Sequence, residues 1–458
     1  MLRHAMQRLI LDISTIARWT GPPVGIVRVE FELAQHVIRR RPDVLLTFYD
    51  PVTESLRALE LAWQEIVLGL DGAVDTVGID FRRHRARWRN LLSFRYPAIM
   101  RLERHRLIGS AMTQAAAGAM QALALGSSGR RAPFADRFGR RLANVPYDLA
   151  LGPQVQPDPD DTLLSAGSDW LHKGTAMLSL QRRHGFRMAV MCYDLLPLLH
   201  PEFFPAEELP RFRTYWDATL QADVRILCNS FCVAQDVRTY AAAHRLGNPA
   251  TTIVPLAASP PPQGALPALR SPLQAGRFAL FVSTLEPRKG HAMLLEAWRR
   301  LLQRGVPQRA DFRMLFVGRT GWMMEDMVRQ LEHDGRRDPY AALHWEGVDD
   351  LDLARLYRDC AFCLYPSRYE GFGLPIVEAF MRGKAVIAST GGAVPETVHG
   401  LSPCLDPRDV DAWTDLLGEW IERPEAHAAW EARIRSDFRP REWPEVADQI
   451  MAAAFAPA

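Results

Sequence analysis

The sequence predicts an α/β protein of two domains, each a doubly wound parallel sheet covered by helices on both faces. Three observations support this prediction. The chain has 458 residues, which suits two domains at ~100–200 residues each. Short strand-like segments alternate with longer helical patterns, as in repeated βαβ units. A proline-rich segment, 259–276, separates two such alternating regions and is predicted to be a linker.

The composition excludes several other classes of protein. With 48% hydrophobic and 24% charged residues, the chain has the composition of a folded globular protein. A formal net charge of +2 argues against a nucleic-acid-binding protein. Six cysteines are too few for a disulfide framework and favour a reducing compartment. Neither a signal peptide nor an apolar run of ~18 residues is present, so we expect a cytoplasmic protein.

The first half of the chain is predicted to form an N-terminal domain, 1–258, from an interrupted βαβ alternation. Strands are predicted at Leu9–Ile13, Val44–Tyr49, Thr162–Ala166, Arg187–Tyr193, Val224–Cys228 and Thr251–Pro255. Helices are predicted near 26–40, 206–221 and 230–243. An insert at about 81–145 does not follow this alternation.

Within that insert, 81–110 concentrates basic charge. Nine arginines and a single acid, Glu103, give this segment a local net charge of +8. Aromatic and aliphatic residues lie between the arginines, as in interfacial segments that contact an anionic membrane surface. There are two alternatives to membrane contact. The segment can be a solvated helix that covers the domain, or a surface that steers a phosphate-bearing acceptor into the cleft.

The second half is predicted to form a C-terminal domain, 277–425, with a regular βαβ alternation. Strands are predicted at Phe278–Thr284, Phe312–Gly318, Ala342–Trp345, Ala361–Pro366 and Ala385–Ser389. Helices are predicted at about 291–303, 322–333, 350–359 and 374–382. A final helical segment, 426–458, is expected to pack outside the second sheet or to cross back to the first domain.

A glycine-rich loop after one strand of the second domain is the strongest candidate for a ligand site. Ligands bind at the carboxyl ends of parallel strands. Gly371 and Gly373 lie in this loop, and Pro375 fits the first turn of the next helix. Free backbone N–H groups there suit a diphosphate. We expect Glu378 in the first turn of that helix. Glu370 and Glu378 can then face one cavity and hold sugar or ribose hydroxyls. The alternative interpretation is that one acid caps the helix and the other is a solvated loop residue.

Two further loops favour phosphate binding. Arg288 and Lys289 follow the first strand of the second domain, and adjacent cations at such a position suit phosphate oxygens. Gly25 ends a glycine-rich strand-to-helix loop in the first domain. This loop lacks the G-x-G-x-x-G pattern of dinucleotide sites.

The region 278–400 resembles the retaining glycosyltransferases of family 4, which have the GT-B fold, two Rossmann-like doubly wound domains facing a cleft. The resemblance rests on FVSTLEPRKG at 281–290, WEGVDDL at 345–351, the E-x7-E spacing of Glu370 and Glu378, and GGAVPE at 391–396. In the first half it is looser and rests on GIVRVE at 25–30, YDLLPL at 193–198, HPE at 200–202 and LCNS at 227–230. Similar segments occur in bacterial enzymes that build O-antigen, capsule or exopolysaccharide.

The resemblance implies roles for particular residues. It implies donor binding by Arg288, Lys289, Gly371, Phe372, Gly373, Leu374, Glu378, Gly347, Val348 and Gly25. Among these, Arg288 and Lys289 would bind the diphosphate, Glu378 the ribose, and Gly347 with Val348 would border the base. Catalytic roles fall to Glu370, Asp194 and Tyr193. Tyr193 replaces a histidine usual in the family and cannot carry a proton near neutral pH, and Thr284 stands where the family often has arginine.

The resemblance therefore implies a retaining, metal-independent glycosyltransferase without a cofactor. Its donor would be a nucleotide diphosphate sugar, with GDP-mannose the preferred candidate, and its acceptor a glycan or lipid-linked glycan in surface polysaccharide synthesis. No nucleic acid partner is implied, and a peripheral position at the inner membrane is expected. The alternatives are a sugar epimerase or polymer synthase on the same fold, or a catalytically silent subunit that binds nucleotide sugar or glycan.

Overall fold

The structure is a computed structural model, and it describes residues 8–18, 25–41, 43–50, 54–59, 153–260 and 264–456. The predicted arginine-rich segment, 81–110, lies outside the described residues, as do the rest of the insert and most of the loop before Gly25. Among the residues described, no helix is both long and apolar enough to cross a membrane.

The first sheet contains eight strands within the described part of the chain, in the order β4-β3-β2-β1-β5-β6-β7-β8. The strands are β1 Leu9–Asp12, β2 Leu45–Asp50, β3 Ser55–Ala58, β4 Gln154–Val155, β5 Thr162–Ser165, β6 Arg187–Cys192, β7 Arg225–Cys228 and β8 Thr251–Ile253. All pair in parallel except β3 and β4. The described helices of this half are Ser14–Arg18, Ile26–Arg40, Asp169–His172, Ala176–His184, Leu196–Leu199, Leu209–Gln221 and Phe231–His244.

The second sheet is parallel throughout, with six described strands in the order β11-β10-β9-β12-β13-β14. The strands are β9 Phe278–Val282, β10 Arg313–Val317, β11 Leu343–Trp345, β12 Phe362–Tyr365, β13 Val386–Ser389 and β14 Cys404–Leu405. The helices are His291–Gln303, Val306–Ala310, Glu325–Gly335, Asp350–Asp359, Leu374–Phe380, Val394–Val398, Val410–Glu422, Glu425–Asp437 and Trp443–Phe455.

Each sheet has its own hydrophobic core. The central strands β9 and β12 are almost entirely buried, as parallel strands covered by helices on both faces must be. The last helix, Trp443–Phe455, packs against Ile26–Arg40 of the first half, where Trp443, Val446 and Ile450 join the first core. The two halves are therefore joined by this helix as well as by the chain at 259–276.

The structure confirms every predicted strand to within two residues at each end. It corrects the helices in several places. The helix predicted from 206 begins at Leu209, with Pro210 in its first turn, and the one predicted from 322 begins at Glu325. The predicted C-terminal helical segment consists of two helices, with a break at 438–442 that contains Pro440.

Candidate functional site

The carboxyl ends of β9 and β12 bring the two predicted phosphate-binding loops together. The loop after β9 carries Arg288 and Lys289, and the loop after β12 carries Glu370. The amide of Arg368 donates a 2.7 Å hydrogen bond to the carbonyl of Arg288, which ties one loop to the other. Because β9 and β12 are neighbours in a parallel sheet, these loops had to emerge at one edge.

Four charged side chains form a compact cluster at this edge. Arg288 Nη1 lies 2.9 Å from Glu370 Oε2, and Lys289 Nζ lies 2.5 Å from Glu370 Oε1. Arg288 Nε lies 3.1 Å from Glu286 Oε2. All four side chains are between 8% and 14% exposed, so solvent screens these pairs little.

The cluster sets the protonation of its members. Burial alone would raise the pKa of Glu370, but Arg288 and Lys289 outweigh it and lower that pKa to about 2. Glu370 is therefore ionised at neutral pH. The two cations of the cluster are thus matched by two carboxylates, Glu370 and Glu286.

Acid should weaken the fold through Glu370. Since its pKa lies near 2 in the folded protein and near 4.5 in the unfolded chain, its contribution to stability is present above pH 4.5 and is lost as pH falls towards 2. The full contribution is about 3 kcal/mol at ~1.4 kcal/mol per pKa unit. Chemical denaturation from pH 6 to pH 2.5 should show a shallower loss for Glu370→Gln than for the parent. Glu207→Gln, which removes an exposed carboxylate, should follow the parent profile. A pH dependence of Glu370→Gln as steep as that of the parent would contradict the assignment.

Asp194 lies close to this cluster from the first domain. Burial raises its pKa, while the nearby Arg288 acts in the opposite direction. Its Oδ1 accepts a 3.1 Å hydrogen bond from the amide of Leu196. The structure thus brings together Asp194 and the three residues Arg288, Lys289 and Glu370, as the sequence predicts for one cleft.

Gly371 lets the two domains approach each other. A Cβ atom at Gly371 would lie 1.9 Å from the carbonyl oxygen of Tyr193 and 3.1 Å from Cβ of Asp194. Only glycine fits there without moving the backbone. In the described part of the chain, the amides of Gly371, Phe372 and Gly373 donate no hydrogen bond, so they are open to ligand oxygens.

Tyr193 does not present its hydroxyl to the cluster. Its O–H donates a 2.5 Å hydrogen bond to the carbonyl of Ala166, and burial raises its pKa well above the usual range. Its own carbonyl accepts from Nδ2 of Asn229 at 3.1 Å. The side chain of Tyr193 therefore belongs to the buried core of the first domain.

Glu378 lies apart from the charge cluster, and its position in the helix differs from the prediction. With the helix beginning at Leu374, Glu378 is its fifth residue and lies in the second turn, not the first. Its Oε2 accepts a 3.0 Å hydrogen bond from the hydroxyl of Tyr357, and burial raises its pKa. Leu374 packs against the first core, which brings this helix start to the interface between the domains.

The remaining predicted residues lie at the periphery. Gly347 is exposed with a φ of +66°, and Val348 packs beside Trp345. The neighbouring Glu346 accepts a 2.5 Å hydrogen bond from the amide of Thr320 and so joins the loops after β10 and β11. Gly25 caps the helix Ile26–Arg40 with a φ of +52°, and no atom of the described residues lies within 4 Å of where its Cβ would be.

Several contributing residues were not predicted. Glu286 anchors Arg288, and Tyr365 lies 5.8 Å below Lys289 Nζ with its ring towards the cation. Glu286 was within reach of sequence reasoning, because an acid two residues before an arginine can pair with it. Tyr357 was not, because its helix meets Glu378 only after folding.

Contacts across the cleft hold the two domains together. The hydroxyl of Tyr369 donates to Asp236 Oδ2 at 2.5 Å, and the indole N–H of Trp322 donates to the carbonyl of Phe203 at 2.7 Å. The carboxylate of Glu396 accepts from the amides of Phe231 and Cys232, at 2.7 and 3.2 Å, at the start of the helix Phe231–His244. This carboxylate caps a helix of the opposite domain.

Cys360 and Cys363 are both buried, with the two sulfurs 3.8 Å apart. Cys360 Sγ also donates to the carbonyl of Tyr357 at 3.2 Å. Among the residues described, no group of three or more His, Cys, Asp or Glu side chains could hold a metal ion.

The sequence matches a known family over part of its length. Residues 276–423 match the model described as Glycosyl transferases group 1. Serotype-specific mannosyltransferase WbdA of Escherichia coli is 33% identical over 222 residues, which is 45% of this chain and 26% of that protein. O-antigen chain mannosyltransferase B of Escherichia coli is 38% identical over 136 residues, 30% of this chain and 34% of that protein. The matches thus span about a quarter to a third of these relatives.

Solved structures confirm the predicted two-domain GT-B fold. The crystal structure of Anabaena HepE in complex with UDP and glucose has a TM-score of 0.52 at 15% identity, over 97% of this chain and 98% of that one. The UDP-forming α,α-trehalose-phosphate synthase of Burkholderia xenovorans, in complex with glucose-6-phosphate, has a TM-score of 0.51 at 14% identity, over 66% of this chain and 74% of that one. At these identities the likeness concerns the fold alone.

Proposed function

We propose that this chain, which carries a group 1 glycosyl transferase domain at residues 276–423, moves a sugar from a nucleotide diphosphate donor to a glycan acceptor. The observation that carries the proposal is the buried cluster of Arg288, Lys289 and Glu370 at the carboxyl edge of the second sheet, opposite Asp194. Two fixed cations beside open loop amides suit a diphosphate, and a carboxylate between them suits the attached sugar.

In this proposal the protein stabilises the leaving diphosphate without a metal ion. Arg288 and Lys289 hold its oxygens, and the amides of Gly371 to Gly373 add donors to it. These groups are already oriented, so they stabilise the negative charge that develops as the glycosidic bond breaks. Glu370, released from the cations by the diphosphate, contacts hydroxyls of the transferred sugar. Transfer is proposed to retain the configuration at the sugar carbon.

The other predicted residues keep their proposed roles around this centre. Glu378 holds the ribose from the helix after the loop, while Gly347 and Val348 border the base. Gly25 closes over the phosphates from the first domain. Asp194 lies beside the reacting sugar, and Tyr193 shapes that side of the cleft with its ring.

The named relatives support mannose as the sugar and surface polysaccharide as the product. Two of them are mannosyltransferases of Escherichia coli, and one of these acts on the O-antigen chain. We therefore propose GDP-mannose as the donor and a glycan or lipid-linked glycan as the acceptor, at the cytoplasmic face of the inner membrane.

Release of nucleotide from a panel of nucleotide sugars tests the function. The parent should release a nucleoside diphosphate from one donor, faster when a mannose glycan is added, and equally fast with EDTA present. EDTA has no effect in this proposal because Arg288 and Lys289 supply the positive field. Release that stops in EDTA and returns with Mg²⁺ or Mn²⁺ would contradict metal independence; no release from any donor would contradict transfer.

The arginine-rich segment 81–110 is proposed to hold the protein at anionic lipid. Each surface cation is worth ~1 kcal/mol near an anionic leaflet. The fraction of protein that sediments with phosphatidylglycerol vesicles should fall steeply as the salt concentration rises, because salt screens charge attraction at a surface. Changing Arg83, Arg85, Arg87 and Arg89 together to Ser should abolish vesicle binding and leave nucleotide binding unchanged. Absence of binding at low salt would contradict a membrane role.

A further inference from the structure

The residue before Glu370, Tyr369, is bound to both domains. Its hydroxyl donates the 2.5 Å hydrogen bond to Asp236 Oδ2, on the helix Phe231–His244 of the first domain. Its carbonyl accepts a 3.2 Å hydrogen bond from Arg288 Nη1, the atom that also lies 2.9 Å from Glu370 Oε2. One residue therefore connects a first-domain helix to the cation that holds Glu370.

The ring of Tyr369 is packed by both domains. The ring of His200, from the first domain, lies with its centroid 5.1 Å from that of Tyr369. In the second domain, the backbone of Gly392 is so close that a Cβ atom there would lie 2.8 Å from two ring carbons of Tyr369. These contacts leave the ring little room to move, so phenylalanine can take its place and lose only the hydrogen bonds of the hydroxyl.

The neighbouring Arg368 is attached to both domains in the same way. Its guanidinium lies over the ring of Phe203 in the first domain, 5.8 Å from the centroid, and its amide donates to the carbonyl of Arg288. The two residues before Glu370 thus contact the first domain through their side chains and Arg288 through their main chains. A shift on the first-domain side would therefore move the main chain that holds Arg288 against Glu370.

We propose that Tyr369 and Asp236 are a positioning pair for Glu370, an assignment that rests on the proposed function. Their hydrogen bond holds the loop on which Glu370 meets the transferred sugar, and neither residue touches the donor. The first domain thereby sets the geometry of a carboxylate that the second domain carries. A displacement of ~1 Å in such a group can cost about 10²-fold in rate.

A clamp that only holds the domains together is the alternative role for this hydrogen bond. Loss of a clamp would weaken nucleotide binding and stability along with turnover, and it would act equally with or without Glu370. A positioning pair acts through Glu370, so its loss should lower kcat in the parent and have little effect once Glu370 has been replaced. A double-mutant cycle with Glu370→Gln therefore separates the two roles.

Tyr369→Phe removes the hydroxyl and keeps the ring. Asp236→Ala removes the acceptor, while Asp236→Asn keeps an oxygen that can accept the same hydrogen bond. The matched control is Tyr240→Phe, which removes a 2.8 Å hydrogen bond from another tyrosine hydroxyl to Asp217, inside the first domain and on the same helix as Asp236. Transfer kinetics, titration of GDP and UDP, and amide hydrogen exchange of peptides that contain Arg368 are measured.

Tyr369→Phe and Asp236→Ala should each lower kcat at least tenfold, as expected for one hydrogen bond to a charged group. Donor KM and the Kd of the nucleoside diphosphate should stay within twofold of the control, and the melting temperature within error of it. Asp236→Asn should keep at least a third of the parent kcat. The double variant Tyr369→Phe/Asp236→Ala should be no slower than either single variant, because both changes remove the same bond. In Glu370→Gln, adding Tyr369→Phe should lower kcat by less than twofold.

A tenfold loss from Tyr369→Phe in the Glu370→Gln background would assign the bond to a clamp and overturn the inference. So would a kcat of Tyr369→Phe equal to that of Tyr240→Phe, or Asp236→Asn as slow as Asp236→Ala. Hydrogen exchange tests the pair even if the parent turns over no donor. Exchange at least fivefold faster in Tyr369→Phe than in the control would then support the hold of the pair on the loop, and only the transfer proposal would fail. Equal exchange would overturn the pair as well.

Discussion

Replacing Glu370 by Gln is expected to lower kcat at least 100-fold while GDP or UDP binds at least as tightly as to the parent. The carboxylate is the internal counter-ion of Arg288 and Lys289, 2.9 and 2.5 Å away. A neutral amide competes poorly for these cations, so the diphosphate no longer has to displace a charge. The same amide accepts hydrogen bonds from the hydroxyls of the transferred sugar more weakly than a carboxylate does, and the loss of one preorganised electrostatic contact costs about 10²–10³ in kcat.

Calorimetric titration of the nucleoside diphosphate and steady-state transfer kinetics check this expectation together. Without ligand, Glu370→Gln should have a lower melting temperature than the parent, because only one carboxylate, Glu286, remains to balance the two cations. Added nucleoside diphosphate should raise the melting temperature of the variant by more than it raises the melting temperature of the parent. Equal losses in nucleotide binding and turnover would instead assign Glu370 a structural role.

Lys289→Ala is expected to weaken nucleoside diphosphate binding by about 10–100-fold. A hydrogen bond to a charged group is worth ~1.5–3 kcal/mol, and ~1.4 kcal/mol is a factor of ten in affinity. Lys289 is 11% exposed and has one carboxylate partner, Glu370, which the diphosphate is proposed to replace. Titration of GDP and UDP into the variant gives the change in Kd directly.

Lys384→Ala is the matched control for this variant. Its ammonium donates to the carbonyl of Cys360 at 2.7 Å and lies before β13, at the amino end of that strand and away from the loops of the site. This control should bind nucleoside diphosphate like the parent. A parent-like Kd in Lys289→Ala would remove Lys289 from the donor site, and a tenfold loss in the control would mean that the effect is not local.

Local sequence signals were enough to predict the strands and the loops of the site. β-branched and aromatic runs mark β9 and β12, and the charged and glycine-rich segments that follow them lie at the carboxyl edge. The strands β3, β4 and β14 were not predicted. β4 and β14 have two residues each, too few to show a pattern. The helix start predicted at 322 was wrong because Trp322 is held in the preceding loop by the carbonyl of Phe203.

By itself, the sequence determined the two α/β halves, the proline-rich join and the identity of the charged loop residues, because strand patterns and loop composition are local properties. Only the tertiary structure decided how those residues interact. The neutralisation of Arg288 and Lys289 by Glu370 depends on loops 81 residues apart, and the hydrogen bond from Trp322 to Phe203 joins segments 119 residues apart. Such contacts follow from the parallel register of the sheets and from the approach of two domains, and no window of sequence contains them.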